Sequence, residues 1–491
     1  FAADVMGRLT GIPGLCIATL GPGATNLATG VGNAWLDRSP MIAITCNLNT
    51  DQLGRRIQMY IDHHALFAPI TKATLPLRQG NVSETLAKAI QIATTEPCGP
   101  VHLDLPEDVA LAASIEGIPA LKPPPEQKDA PKIAFDGAIA AISEAKRPIA
   151  VIGSNAMRLS ENTQILDFIQ KHQIPFATTT MAKGIIDDNH SLAIGCIERA
   201  CRQHQRKFLQ TADLIIGLGY DTIEVEFEAW IGSTPLLQID IEEPDLGNSV
   251  ICKEKVIGNL SNSLTKLTTI PSILNDWTKD ELSQHRKTFN QLLRPNVREF
   301  SAYQAIDAVR EALPPEGILS FDVGAHTHQI ASQWNSPAEK RFLITNGWSS
   351  MGFGLPSAIA AKLTYPEQPV VCLIGDGCFQ MTCGELATAK RLKITLPVVV
   401  LDDRWLGLIR VKQLRRQYGI YGTELQSEVY RAPPEHYFGV PAIGVNDAES
   451  LKISVKDALK AKGPTVIEAI VDSEHYIETV FDFIFSFWKF K

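Results

Sequence analysis

A chain of 491 residues, 45% hydrophobic and 20% charged, is long enough for about three globular domains and can bury large cores. Its 46 basic and 54 acidic residues leave a net charge of −8, which excludes a broad basic nucleic-acid surface but leaves room for local anion sites. No apolar run approaches the ~20 residues of a membrane helix, and the nine cysteines contain no C-x2-C pair, so a reducing, cytoplasmic setting is expected, with neither a zinc site nor a disulfide framework.

The chain opens at Phe1 inside a helical pattern, FAADVMGRLTG, and reads as a fragment or a processed product. Short β-rich runs then alternate with helical patterns in three segments, the signature of parallel α/β sheets. The first segment, 1–115, has predicted strands at 14–19, 41–45 and 101–104. A linker rich in proline and charge follows at 116–132. The second segment, 133–275, has strands at 149–152, 176–178, 214–218 and 236–239, and the polar stretch 276–298 reads as a second linker. The third, 299–491, has strands at 317–321, 342–344, 370–374, 396–401 and 465–469. The aromatic run at 479–491 fits a final strand or an interface patch and carries no functional reading.

The third segment holds the strongest chemical signal. A buried strand ends in Gly375-Asp376-Gly377, and the next predicted strand ends in Asp402-Asp403. In a parallel sheet these tips lie side by side at the carboxyl edge, where ligands bind. Two carboxylates converging on one point suit Mg²⁺, a hard ion that takes oxygen ligands and completes its octahedron with phosphate and water. The flanking glycines let backbone N–H groups approach phosphates. A lone GDG is most often a simple turn; the paired acids after the next strand shift the balance to a metal site.

This combination resembles the thiamine-diphosphate signature of acetolactate synthases and 2-oxo-acid decarboxylases. The resemblance implies Asp376 and Asp403 as side-chain ligands of Mg²⁺ and Trp405 as a ligand through its backbone carbonyl. Most of the family has Asn at the position of Asp403; the catabolic, flavin-free acetolactate synthases resemble this chain in placing Asp there. The stretch 11–26, ending GlyProGlyAlaThrAsn, is similar to the family's turn beside the aminopyrimidine and implies Pro22, Gly23 and Asn26 as its contacts. Residues 98–109 are similar to the end of the family's first domain. The stretch 321–326 resembles the loop that meets the diphosphate, with Gly324, Ala325 and His326. The stretch 346–356 resembles the loop beneath the thiazolium, with Gly347, Ser349 and Met351, the last where the family bends the cofactor into a V. Gly375, Gly377, Cys378, Leu406 and Gly407 complete the implied cofactor contacts. The expected fold is accordingly α/β, with three parallel-sheet domains of the thiamine-diphosphate enzyme type: pyrimidine-binding, central and diphosphate-binding.

The family's catalytic glutamate sits a few residues before the helix that resembles FAADVM, so the resemblance places it upstream of Phe1. Gln58 is a candidate substrate-side amide, but it lies one residue out of the family's register, where Met59 stands; a solvated loop glutamine is an equal reading. His63 and His64 are read as hydrogen-bonded structural histidines. The stretch 219–227 lacks the Arg-Phe-Asp-Asp pattern of flavin-requiring relatives, so FAD is not expected, and Lys412 occupies the apparent place of the tryptophan that selects 2-oxobutyrate. The resemblance thus implies pyruvate as donor and acceptor, giving 2-acetolactate and CO₂, in a homodimer or homotetramer without nucleic-acid or membrane partners. The alternatives are a related lyase or decarboxylase acting on another 2-oxo acid, and a cofactor-binding but catalytically silent homologue.

Overall fold

The computed structural model describes residues 1–114, 116–159, 163–225, 227–425 and 434–480. It divides into two compact units: residues 1–127 with 345–350 and 363–365, and the remainder. The aromatic positions 481–491 lie outside the described residues.

The first unit is built on a parallel sheet of β1 (Gly14–Ala18), β2 (Met41–Asn47), β3 (Ala73–Pro76) and β4 (Pro100–Pro106), in the order β1-β2-β4-β3. β2 is its core, pairing Met41 with Pro100 on one side and with Gly14 on the other. β1 is an edge strand, and Leu15 and Ile17 on it are 63% and 61% exposed. Between β1 and β2 runs the helix Pro22–Leu36, with proline in its first turn, where the missing N–H costs nothing. The strand β3 was not anticipated: three of its four residues are half-buried and Pro76 is exposed, at a sheet edge, with no apolar run.

The second unit holds two sheets. The first comprises β5 (Pro148–Ile152), β6 (Phe176–Thr178), β7 (Ala193–Cys196), β8 (Leu214–Leu218), β9 (Leu236–Asp240) and β10 (Cys252–Ile257), ordered β10-β9-β8-β5-β6-β7. The strand order reverses between β5 and β8, which opens a crevice at their carboxyl ends. The second comprises β11 (Ile318–Phe321), β12 (Phe342–Leu343), β13 (Val370–Gly375), β14 (Leu396–Asp402), β15 (His436–Tyr437), β16 (Val440–Val445) and β17 (Pro464–Ile470), ordered β12-β11-β13-β14-β17-β16-β15. Its pairings are parallel except β15 with β16. β13 and β14 are buried along their whole length, so they read as unbroken Val, Leu and Ile runs rather than alternating ones.

The stretch expected as a linker at 276–298 contains a helix, Lys279–Leu292. The hydroxyl of Thr278 caps it by accepting from the Glu281 N–H at 3.2 Å, and Leu282, His285 and Phe289 form its buried seam. That seam is narrow beside so many charged residues, which is why composition suggested a linker. Each sheet also carries or abuts a buried cysteine outside any disulfide: Cys98 beside β4, Cys196 in β7 and Cys372 in β13. Among the described residues no helix is long and apolar enough to cross a membrane.

Candidate functional site

The carboxyl ends of β11, β13 and β14 bring together most of the residues singled out in the third segment. β13 runs into Gly375, and Asp376 opens the helix Asp376–Thr382. β14 ends at Asp402, and Asp403, Arg404, Trp405 and Leu406 lead to the helix Gly407–Arg415. Asp376 accepts from the N–H of Gly377 at 2.7 Å with one oxygen and from that of Arg404 at 2.8 Å with the other, which ties the two strand tips together. Asp403 accepts from the Trp405 N–H at 2.9 Å. The segment after Asp403 is pinned further by Leu406 N–H to the Thr423 carbonyl at 2.8 Å and by a bridge between Trp405 and Glu424.

Three acids share this tip. Burial raises the Asp376 carboxyl to about 9, and the neighbouring charges of Asp403 and Asp402 add to the shift. Burial also raises Asp403, to about 6, with Asp402 contributing. The Asp402 carboxyl is raised too, chiefly by burial, and its Oδ1 is buried without a partner. Carboxylates that suppress one another's ionisation, with a buried oxygen left over, are what a divalent cation would relieve. The donor set therefore fits Mg²⁺. Asp402 was missed as a member because its neighbour Asp403 fitted the spacing; the signal was its place as the last residue of a buried strand.

The glycines here are close-approach positions. A Cβ on Gly375 would sit 2.9 Å from His326 Cε1, and one on Gly407 would sit 3.0 Å from Asp403 Oδ2 and 3.6 Å from Ala325 Cβ. A Cβ on Gly377 would meet Leu406 at 3.1 Å and Met351 at 3.4 Å. Gly324, Ala325, His326, Gly375, Gly377, Met351, Leu406 and Gly407 thus surround one spot. Cys378 lies beside it, buried, its thiol donating to the Val323 carbonyl at 3.0 Å. Burial lowers the His326 imidazole to about 4, so it stays neutral, and its Nε2 is buried without a partner. An orphaned nitrogen and a ring of missing side chains around the acids fit a phosphate-bearing ligand.

Asp322, directly after β11, organises the loop that follows Met351. Fully buried, it accepts from Val323 N–H at 2.7 Å, from Gly352 N–H at 3.1 Å and from Gly354 N–H at 2.8 Å. It stood in the motif 321–326 but was not singled out, because its partners lie about thirty positions along the chain. A cavity of about 500 Å³ opens next to the acids, lined by Asp403, Arg404, Trp405, Arg410, Asp472 and Ser473, with the Arg410 guanidinium 4.4 Å above the Trp405 ring.

In the other unit, Gly21 takes φ +59, a left-handed conformation that glycine tolerates, and a Cβ there would meet the Met59 carbonyl oxygen at 2.6 Å. This turn presents Pro22 and Asn26 to the exterior, with Gly23 partly buried. Gln58 is exposed. His63 is buried: its Nδ1 faces Asp104 at 3.2 Å and Thr45 at 2.9 Å, while its Nε2 accepts from Gly21 N–H at 3.4 Å. His64 is bonded to Thr74 at 2.6 Å. His63, His102 and Asp104 have ligand-type atoms within 4.8 Å of one another. The Gly21 N–H assigns the His63 proton to Nδ1, facing Asp104, and the Thr45 hydroxyl bridges to His102 at 2.8 Å, so the cluster is a hydrogen-bonded relay. Gly347 and Ser349 lie in the segment 345–350 of this unit, where Ser349 takes φ +52 and the Gly347 N–H reaches Asp37 at 2.8 Å.

The crevice between β5 and β8 is filled by the chain itself. Gly153 follows β5, and a Cβ there would lie 2.4 Å from Tyr220 Cα. The Glu224 carboxylate accepts from Ser154 N–H at 2.8 Å and from the Thr179 hydroxyl at 2.5 Å. Burial raises Glu224 to about 8 and Asp240, the last residue of β9, to about 6, and the charge of Asp221 adds to both shifts.

Comparison with known proteins places these features in a family. The N-terminal TPP binding domain of thiamine pyrophosphate enzymes matches residues 1–66, the central domain of the same enzymes matches 135–267, and the C-terminal TPP binding domain matches 322–469. A probable acetolactate synthase large subunit of Methanococcus aeolicus is 29% identical, over 98% of this chain and 85% of its own length. The acetolactate synthase isozyme 1 large subunit of Escherichia coli (strain K12) is 28% identical over 97% and 86%. The acetolactate synthase large subunit of Porphyra purpurea is 27% identical over 96% and 82%.

Proposed function

Because the chain belongs to the thiamine pyrophosphate enzymes of the acetolactate synthase type, we propose that it joins two pyruvates as 2-acetolactate with loss of CO₂, using thiamine diphosphate and Mg²⁺. The observation that carries this reading is the meeting of Asp376, Asp402 and Asp403 at one strand edge, ringed by glycines and the unpartnered His326 nitrogen. Asp376 and Asp403 hold the ion, with the Trp405 carbonyl as a third ligand. Gly324, Ala325, His326, Gly375, Gly377, Cys378, Leu406 and Gly407 cradle the diphosphate. Met351, with Gly347 and Ser349, supports the thiazolium, and Pro22, Gly23 and Asn26 face the pyrimidine. Gln58, exposed on its loop, is a substrate-side candidate only.

Bound thiamine diphosphate supplies a nucleophilic carbon and an electron sink for decarboxylation. The chain's task is to hold the cofactor and to keep water from the reacting carbon, since protonation there gives acetaldehyde instead; Trp405 and Leu406 serve as apolar cover. In favour of a flavin-free enzyme, the Ser154 N–H at the central crevice, where a phosphate would be received, is already engaged by Glu224. The deciding experiment is product analysis of the full-length protein given pyruvate, thiamine diphosphate and Mg²⁺, without FAD. Acetolactate in excess of acetaldehyde is expected. Mainly acetaldehyde reassigns the chain to the decarboxylases, and tight cofactor binding without turnover makes it a silent homologue.

A further inference from the structure

The segment 345–350 is separated by some three hundred positions from the helix Pro22–Leu36, yet it is fastened to that helix's end within one compact unit. The fastening is a buried charge network. Asp37 caps the helix, its side chain 2% exposed. It accepts from the N–H of Gly347 at 2.8 Å and from that of Asn346 at 3.1 Å. Arg8 reaches Asp37 at 2.8 Å and grips Asp4 at 2.8 and 2.5 Å. The Asn33 amide donates to Asp4 at 2.6 Å, and its carbonyl oxygen accepts from the Thr345 hydroxyl. Trp348 lies over Gly32, where a Cβ would come within 2.9 Å of the indole.

An acid at a helix C-terminus is electrostatically misplaced, because that end of the macrodipole is already negative. Burying it costs more, since an ionised carboxylate leaves water. Arg8 and the two loop N–H groups offset part of these costs, and burial still leaves the Asp37 carboxyl above its ordinary range. The network's geometric product is therefore a fixed backbone at Asn346 and Gly347, immediately before Ser349 and Met351.

We propose that Asp37 is a positioning residue for the thiazolium loop: it holds residues 345–350 so that Ser349 meets the cofactor in one fixed geometry. This inference rests on the reading of that loop given under Proposed function. Neither Asp37 nor Arg8 touches the cofactor in this scheme; they act through the loop backbone.

The test uses Asp37→Ala and the isosteric Asp37→Asn in the full-length protein, with two readouts. The first is amide hydrogen exchange of the peptide spanning 345–351 without ligand. Asp37→Ala should speed its exchange about tenfold or more, the loss of two charge-assisted bonds, while peptides from Met41–Asn47 stay unchanged; Asp37→Asn, which keeps an acceptor oxygen, should fall between. The second is the exchange rate of the thiazolium C2 proton in bound thiamine diphosphate, followed by NMR after acid quench. It should slow about tenfold or more in Asp37→Ala, with cofactor affinity changed less than about threefold, because the diphosphate contacts lie elsewhere. Should Asp37→Ala fail to fold, Asp37→Asn carries both readouts at smaller amplitude. Unchanged loop exchange in a folded variant overturns the fastening; a loosened loop with unchanged C2 exchange overturns its role. If the unaltered protein binds no thiamine diphosphate, the functional reading fails first, and the positioning role fails with it.

Discussion

Replacing Glu224 by Gln tests the central crevice through the pH dependence of stability. The Glu224 carboxyl is held at about 8, chiefly by burial and further by Asp221, against an ordinary 4.5. The folded protein therefore binds one more proton here than the unfolded chain does between those values. Stability from this group is complete below about pH 4.5 and is lost as pH rises through about 8. From pH 6 to pH 9 the folded form must release that proton against roughly two pKa units, a ceiling of about 2.7 kcal/mol. Glu224 is partly exposed as a residue, so water screens part of this, and ~2 kcal/mol is the working figure. Gln keeps an oxygen for the Ser154 N–H and has nothing to titrate. The melting temperature of the natural protein should fall more than that of Glu224→Gln between pH 6 and pH 9, by about 2 °C, because an unfolding entropy of about 2.1 cal/mol/K per residue amounts to ~1 kcal/mol/K over the 491 residues. Differential scanning fluorimetry across that range gives the comparison directly. Parallel profiles for the two proteins would show that Glu224 is ionised at neutral pH and that the crevice is more open to water than its geometry indicates.

Asp376→Ala should abolish Mg²⁺-dependent retention of thiamine diphosphate, whereas Asp403→Asn, which keeps a coordinating oxygen, should weaken it less; calorimetry showing unchanged cofactor binding in Asp376→Ala removes the metal assignment. Asp322→Ala strips the acceptor from the buried N–H groups of Gly352 and Gly354 and from the half-buried one of Val323, and should cost ~2–4 kcal/mol locally, at ~1–2 for each buried group; exchange at Gly352 and Gly354 no faster than in the unaltered protein argues against that account. The full-length enzyme should be at least a homodimer, with residues 20–26 and 347–351 at the interface, and an active monomer by light scattering at working concentration contradicts this.

The site's polar skeleton was partly legible in the sequence because parallel strands deliver their last residues to a common edge. Asp376 and Asp403 could be paired from one strand–helix–strand interval, and the buried runs at β13 and β14 gave the strands themselves. Strands without such runs were not visible. β10 reads CysLysGluLysValIle, with its charged positions half-buried or exposed, and β7 and β16 lie near or at sheet edges. Long-range polar partners were also invisible. Asp322 works through N–H groups about thirty residues away, and Asp37 through a loop three hundred away, and no periodicity encodes either. The histidines at 63 and 64 were correctly anticipated as hydrogen-bonded, since Thr45, Thr74 and Asp104 enclose them.

The distribution of buried thiols gives the molecule a set of internal clocks. Cys98 lies beside the first sheet, Cys196 in the second and Cys372 in the third, with Cys378 just after the same strand; burial pushes the Cys196 thiol up to about 12 and those of Cys372 and Cys378 well above their ordinary value. Since only the thiolate reacts, an alkylating reagent near neutral pH is blind to them while their sheets are closed. Each becomes reactive when its own surroundings open. The order in which a neutral alkylating agent marks these positions, read by peptide mass, therefore ranks the opening of the three sheets without any engineered label.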